Sequence, residues 1–155
     1  MAVRNKRAIA VLVSSIVGML ALLPSPTAAV ADPTGAQAAL TAVSGTGSGQ
    51  VLIAHSAKDR GTFAVEVTIN VHGASPRTAY TIYRAVDLSP DGTCTEASGP
   101  LLTGTLVTSA GGAGAAHVEL HRGAPFVSGT RFDVVFWLVG NGFELRSECV
   151  TVTVK

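Results

Sequence analysis

Apolar and polar residues alternate from Thr62 to His72, and this is the most regular pattern in the chain. Side chains of a β-strand point alternately to its two faces, so a period of two predicts a strand with one buried face. The buried set is Phe63, Val65, Val67, Ile69 and Val71. Shorter runs between turn-forming residues predict seven more strands, at 36–43 (weak), 50–55, 78–86, 100–108, 115–122, 130–139 and 145–154.

The strand Thr130 to Val139 differs from the others because both of its faces are apolar. One face carries Phe132, Val134, Phe136 and Leu138, which we expect to lie in the core. The opposite face carries Val135, Trp137 and Val139. The outer side of a two-layer fold is normally polar, so this second set needs an explanation.

Several short strands separated by turn signals predict an all-β fold, and no segment after residue 31 has helical periodicity. Gly111-Gly112-Ala113-Gly114 and Asn141-Gly142 are two of the predicted turns, and the second favours a tight hairpin. We therefore predict an antiparallel β-sandwich of about seven to eight strands.

The segment His72-Gly73-Ala74-Ser75-Pro76-Arg77-Thr78-Ala79-Tyr80 resembles the Gly…Pro-x-Thr-x-Tyr turn of immunoglobulin-like and fibronectin-type III modules. The strand order resembles that of small secreted bacterial immunoglobulin-like domains, among them the apoproteins that carry enediyne antibiotics. The resemblance implies that the β-sandwich is immunoglobulin-like and that strands 78–86, 130–139 and 145–154 share one sheet. This chain lacks the two short-loop disulfides of those apoproteins, so only the strand order is carried over.

The N-terminus has the features of an export signal. Arg4, Lys6 and Arg7 precede an apolar run, and Ala29-Val30-Ala31 is an A-x-A cleavage site. We predict a signal peptide at residues 1–31, a flexible segment with a possible weak strand at 32–49 and the β-sandwich at 50–155. The protein would be secreted and extracellular, with no membrane anchor after cleavage; an uncleaved N-terminal anchor is the alternative.

Cleavage would also change the charge of the chain. The whole sequence has 11 basic and 10 acidic residues, and the leader holds three of the basic ones, which leaves a net charge of −2. There is no basic stripe or charge run, so neither nucleic acid nor an anionic membrane is an expected partner. No sequence motif calls for a cofactor.

Cys94 and Cys149 are the two cysteines of the chain. In a protein bound for an oxidising compartment they predict one disulfide bond. It would join the loop Asp87–Gly99 to the last strand on the outer side of the sheet, because the alternation of the valines after Cys149 turns this cysteine away from the core.

The same alternation defines a candidate binding surface. If Tyr80 faces the core, Tyr83 shares the outer surface with the second apolar set of strand 130–139. We predict a site for an extracellular protein, a glycan or a small apolar ligand, because exposed aromatic patches mark interfaces. The predicted site residues are Tyr83, Val135, Trp137 and Val139. Alternatively, the loop or the N-terminal segment covers Trp137 and there is no site.

Two other functions are kept open. His117, Glu119 and His121 share one exposed strand face and could bind a metal ion if His72 or His55 completed the site. The protein would then be a metal carrier or a metal-dependent enzyme. The loop Asp87–Gly99 could instead inhibit a hydrolase. The sequence has no G-x-S-x-G motif and no free thiol once the disulfide forms, so we expect a non-enzymatic protein.

Overall fold

The described part of the chain, residues 35–55 and 63–155 of the computed structural model, consists of β-strands joined by turns and loops. No helix occurs in these two ranges, and so none that could cross a membrane. The predicted leader lies outside the described residues, and so do residues 57–61, where the sequence Ala57-Lys58-Asp59-Arg60-Gly61 predicts a turn. The strands are β1 Ala36–Ser44, β2 Ser48–His55, β3 Phe63–His72, β4 Ala79–Asp87, β5 Leu101–Val107, β6 Gly114–Arg122, β7 Arg131–Gly140, β8 Phe143–Ser147 and β9 Val150–Thr153.

The nine strands form one antiparallel sheet that is nearly closed into a barrel. Its order is β5-β4-β7-β8-β1-β2-β3-β6, and β9 pairs with the other end of β7. The first and last strands of this order, β5 and β6, also approach one another: a Cβ on Gly104 would lie 3.1 Å from Val118 Cγ2. The sheet therefore curls round a single interior.

The interior is filled by the apolar faces that the alternation predicts. The central strand β7 contributes Phe136 and Leu138, which are almost inaccessible to solvent. One end of the interior is aromatic, with the rings of Phe63, Phe126 and Phe132 in mutual contact at centroid distances of 5.0–5.9 Å. Burial of this continuous apolar core is the main stabilising contribution to the fold.

The predicted antiparallel all-β class is confirmed, whereas the separate layers of an immunoglobulin-like sandwich are not confirmed. β1 forms hydrogen bonds with β2 on one side and with β8 on the other, so it joins strands expected in opposite layers. The possible weak strand at 36–43 in the N-terminal segment is present as β1, and β2 begins at Ser48, two residues before the predicted start of the sandwich at residue 50. Strands 78–86, 130–139 and 145–154, which the resemblance places side by side, correspond to β4, β7 and the pair β8 and β9. They are neighbours, because β7 pairs with β4 on one side and with β8 and β9 on the other.

The last predicted strand is divided into β8 and β9. The break falls at Glu148 and Cys149. There the Glu148 backbone N–H donates to the carbonyl oxygen of Ala39 on β1, and the Ser147 hydroxyl accepts a hydrogen bond from the Phe136 backbone N–H. The break lets the chain pair with both ends of β7, which explains why the sheet has nine strands rather than seven or eight.

The turn before β4 is fixed by hydrogen bonds to its backbone. The Ser75 N–H donates to the hydroxyl of Tyr80, and the buried hydroxyl of Thr108 donates to the Ser75 carbonyl at 2.6 Å and accepts from the Thr78 N–H at 2.9 Å. These bonds tie the start of β4 to the end of β5. They fix where β4 begins, and therefore which of its side chains point outwards.

Candidate functional site

The predicted disulfide between Cys94 and Cys149 is present, with 5.7 Å between the two Cα atoms. Cys94 belongs to residues 88–100 between β4 and β5, which we call the disulfide loop, and Cys149 lies between β8 and β9. Cys94 packs with Ala85 and Val135 in a small buried cluster on the outer face of β4 and β7. The loop therefore covers one half of that outer face, as the outward direction of Cys149 predicts.

Two buried carboxylates hold the disulfide loop from below. Asp87 and Asp133 lie opposite one another on β4 and β7. Asp87 accepts hydrogen bonds from the backbone N–H groups of Ser89 and Glu96, both at 2.9 Å. Asp133 accepts one from the Gly92 N–H at 2.6 Å and one from the Thr151 hydroxyl. Each carboxylate oxygen of Asp87 and Asp133 thus accepts one hydrogen bond. Three of these four hydrogen bonds come from backbone N–H groups of the disulfide loop and hold it against the sheet.

Beyond the loop, the other half of the outer face is open. Tyr83 on β4 lies directly opposite Trp137 on β7. Both side chains are half-buried, and Val139 is 40 % exposed. The space beside them is an open groove of about 280 Å³, which we call the aromatic groove. Its lining residues are Tyr83, Pro100, Trp137, Val139 and Glu144.

Strand β8 supplies the charges beside the aromatic groove. Its register places Glu144 opposite Val139 and Arg146 opposite Trp137. The Arg146 guanidinium carbon lies 5.1 Å from the centroid of the Trp137 ring, a cation–π contact that holds the indole in place. Glu144 forms no ion pair with any described residue, and Arg146 does not line the groove.

The four predicted site residues are therefore divided between the two halves of the face. Tyr83, Trp137 and Val139 line the aromatic groove, while Val135 is 2 % exposed beneath Cys94 and cannot touch a ligand without movement of the loop. The apolar surface continues past the groove at Leu102, which is opposite Tyr83 on β5 and 67 % exposed.

Sequence reasoning missed Pro100, Glu144 and the nearby Arg146. A signal for the two charged residues was present in the Asn141-Gly142 hairpin. A two-residue turn fixes the register of the strands it joins, and here it places Gly140 opposite Phe143. Counting outwards from this pair places Glu144 opposite Val139 and Arg146 opposite Trp137. No comparable signal exists for Pro100, which is brought to the groove by the course of the disulfide loop.

The predicted row of β6 lies on the outer surface, away from the groove. The Glu119 carboxylate lies 3.5 Å from His121 Nε2, and His117 Nδ1 lies 3.1 Å from the Thr68 hydroxyl. The two suggested completing ligands have other contacts, His72 with the Ser48 hydroxyl and His55 with the ring of Phe63. Among the residues described, no group of three or more His, Cys, Asp or Glu side chains is placed to hold a metal ion.

The tip of the disulfide loop has its own local order. The Asp91 carboxylate accepts hydrogen bonds from the hydroxyl of Thr93 at 2.6 Å and from its backbone N–H at 2.8 Å. These bonds favour the ionised form and lower the pKa of Asp91 below its usual value, the hydroxyl contributing most. Leu88, at the start of the disulfide loop, is exposed.

No protein-family model, curated protein or solved structure matches this chain. The groove and the loop have to be interpreted from their own chemistry.

Proposed function

We propose that this chain is a secreted, non-enzymatic β-domain that binds an extracellular protein, a glycan or a small apolar ligand in the aromatic groove. The single observation that carries the proposal is the pairing of Tyr83 and Trp137 on an outer sheet face that is covered at one end and open at the other. Tryptophan and tyrosine favour interfaces because they combine a large apolar surface with a polar group.

The disulfide bond supports the secreted location in this proposal, because disulfide bonds persist outside the cell, where the predicted leader would send the protein. We also propose that the strands are arranged as in an immunoglobulin-like domain, since β4, β7 and the pair β8 and β9 follow one another as in such a sheet. In immunoglobulin-like modules generally, function resides in sites placed on the scaffold rather than in the fold itself.

The test is a screen of the mature protein, residues 32–155, by tryptophan fluorescence and by ¹H–¹⁵N NMR. It would use a glycan array and a library of small apolar fragments. Hits should perturb the Trp137 indole resonance and should be lost in Trp137→Ala, while Val127→Ala, an exposed control substitution away from the groove, should bind normally. If Trp137→Ala unfolds the protein, or if hits persist in that variant, the aromatic groove is not the binding site.

A second candidate is an inhibitor that presents the disulfide loop to a hydrolase. It is favoured by the combination of an exposed Leu88 and a loop held by one disulfide and by two buried carboxylates, because preorganised loops lose little entropy on binding. A panel of secreted proteases and glycosidases would test it. Inhibition should disappear in Leu88→Ala and should survive Trp137→Ala, which separates this function from groove binding.

A further inference from the structure

We infer that the ligand of the aromatic groove is a small organic cation, namely an ammonium group that carries alkyl substituents. This inference rests on the proposed function, since it narrows the small apolar ligand proposed for the same groove to one whose alkyl groups surround a positive charge. It is argued from the charge and the chemistry of the lining.

The lining combines apolar and aromatic surface with a single negative charge. Four of the five lining residues are Tyr83, Pro100, Trp137 and Val139, and the fifth is Glu144. Glu144 is half-buried as a residue, and its carboxylate has no hydrogen bond or ion pair with any described residue. A ligand that fills the groove would remove water from this carboxylate, which is unfavourable unless the ligand supplies a positive charge.

The aromatic pair is suited to the same ligand. The faces of tryptophan and tyrosine rings attract cations, and sites for quaternary ammonium groups are built from such rings. The Trp137 ring already holds one cation of the chain, because the Arg146 guanidinium lies 5.1 Å from its centroid. Arg146 is exposed and does not line the groove, so among the described residues the carboxylate of Glu144 is the one charged group in the lining.

Other ligand classes fit these features less well. A hydrocarbon would desolvate Glu144 without compensation. A sugar needs several hydrogen-bonding partners, and the lining offers mainly apolar surface. A peptide cannot add as a strand here, because β4 is paired with β5 and β7, and β7 is paired with β4 and β8. The volume of about 280 Å³ is slightly below the range of ~300–1,000 Å³ for drug-sized ligands, which suits one small head group.

The experiment exploits the fact that Trp137 is the only tryptophan in the chain, so its emission reports on this groove alone. The mature protein is titrated with choline and with 3,3-dimethylbutan-1-ol, a neutral molecule of the same shape. We expect choline to change the emission and the alcohol to bind at least about tenfold more weakly. Equal binding of the two, or binding of the alcohol alone, would overturn the inference.

Substitutions separate the charge from the apolar contacts. Glu144→Gln should weaken choline binding about tenfold and leave the neutral alcohol unaffected. Glu148→Gln is the matched control, because Glu148 is an exposed acid on the same segment that does not line the groove. Trp137→Phe keeps an aromatic face and should retain part of the affinity, measured by calorimetry. A Glu144→Gln variant that binds choline as well as the wild type does would refute the role of the carboxylate.

A quaternary ammonium group can belong to a free small molecule or to a modified lysine of a protein, and we assign it to a free molecule because the groove is small. A peptide with one trimethyllysine distinguishes the two: affinity above that of choline would overturn the assignment to a free molecule. If choline fails but a glycan or a neutral fragment binds in a Trp137-dependent manner, this inference falls and the proposed function stands. If nothing binds in that manner, both fall.

Discussion

The disulfide lends itself to a quantitative prediction, because its expected effect is on the unfolded chain and not on the folded one. Cys94 and Cys149 are 55 residues apart, and cross-linking a loop of this length removes enough entropy from the unfolded state to stabilise the fold by about 4 kcal/mol at 25 °C. A small domain has a total stability of only ~5–15 kcal/mol. The double variant Cys94→Ala, Cys149→Ala should therefore lose a large share of its free energy of unfolding.

The folded loop should nevertheless stay in place in this variant. Three backbone N–H groups of the disulfide loop donate to the carboxylates of Asp87 and Asp133, and the Ser98 N–H donates to the Val86 carbonyl at 2.8 Å. These bonds do not depend on the sulfur atoms. The emission maximum of Trp137, which packs against the cluster under the loop, should thus be the same in the two native proteins.

Urea unfolding followed by Trp137 emission and by far-ultraviolet circular dichroism measures both quantities. We expect the free energy of unfolding to fall by about 4 kcal/mol and the m-value to rise, because the unfolded chain without the cross-link is more expanded. A loss below about 1 kcal/mol would refute the entropic account. A large loss accompanied by red-shifted native emission would show that the disulfide, and not the carboxylates, holds the loop.

Two further predictions concern the carboxylates around the loop. Asp133→Ala leaves the Gly92 N–H and the Thr151 hydroxyl without their acceptor and should cost about 3 kcal/mol in urea unfolding, with Asp133→Asn less harmful; equal losses would contradict this reasoning. Asp91 has a lowered pKa in the folded state, so its contribution to the order of the loop tip is present above the unfolded pKa and is lost as the pH falls through the lower folded pKa. NMR titration of the Asp91 carboxyl should give a pKa below that of an ordinary aspartate, and this pKa should rise in Thr93→Val; an unchanged pKa would show that Thr93 is not the cause.

The strands and their buried faces could be predicted from the sequence because a period of two is a local property. The outward direction of Tyr83 and Trp137 follows from the same rule, and the pairing of β4 with β7 brings the two residues opposite one another. The disulfide was predictable because two cysteines allow only one pairing.

The closure of the sheet could not be predicted in this way. β1 is poor in large apolar residues, and only Ala38 and Leu40 of this strand are fully buried. Its place depends on hydrogen bonds to β2 and β8, and the β8 partners are about a hundred residues further along the chain. Backbone pairing of this kind leaves little trace in local composition, because it uses groups that every residue except proline possesses.

The division of the outer face of β7 leads to a final prediction that separates stability from binding within a few residues of one strand. Val135 is 2 % exposed under Cys94, whereas Val139 is 40 % exposed beside the aromatic groove. Val135→Ala removes two buried methyl groups at about 0.8 kcal/mol each and leaves a small cavity, so it should cost about 2 kcal/mol in urea unfolding.

Val139→Ala makes the same chemical change on the same face of the same strand, and it should alter the free energy of unfolding by less than about 0.5 kcal/mol because the side chain is already in contact with solvent. Ligand affinity should respond in the opposite order, with a loss only in Val139→Ala. Similar stability losses in the two variants would mean that the open end of the face is packed like the covered end. In that case there would be no groove for a ligand to enter, and the reason for placing Trp137 in a binding site would be lost.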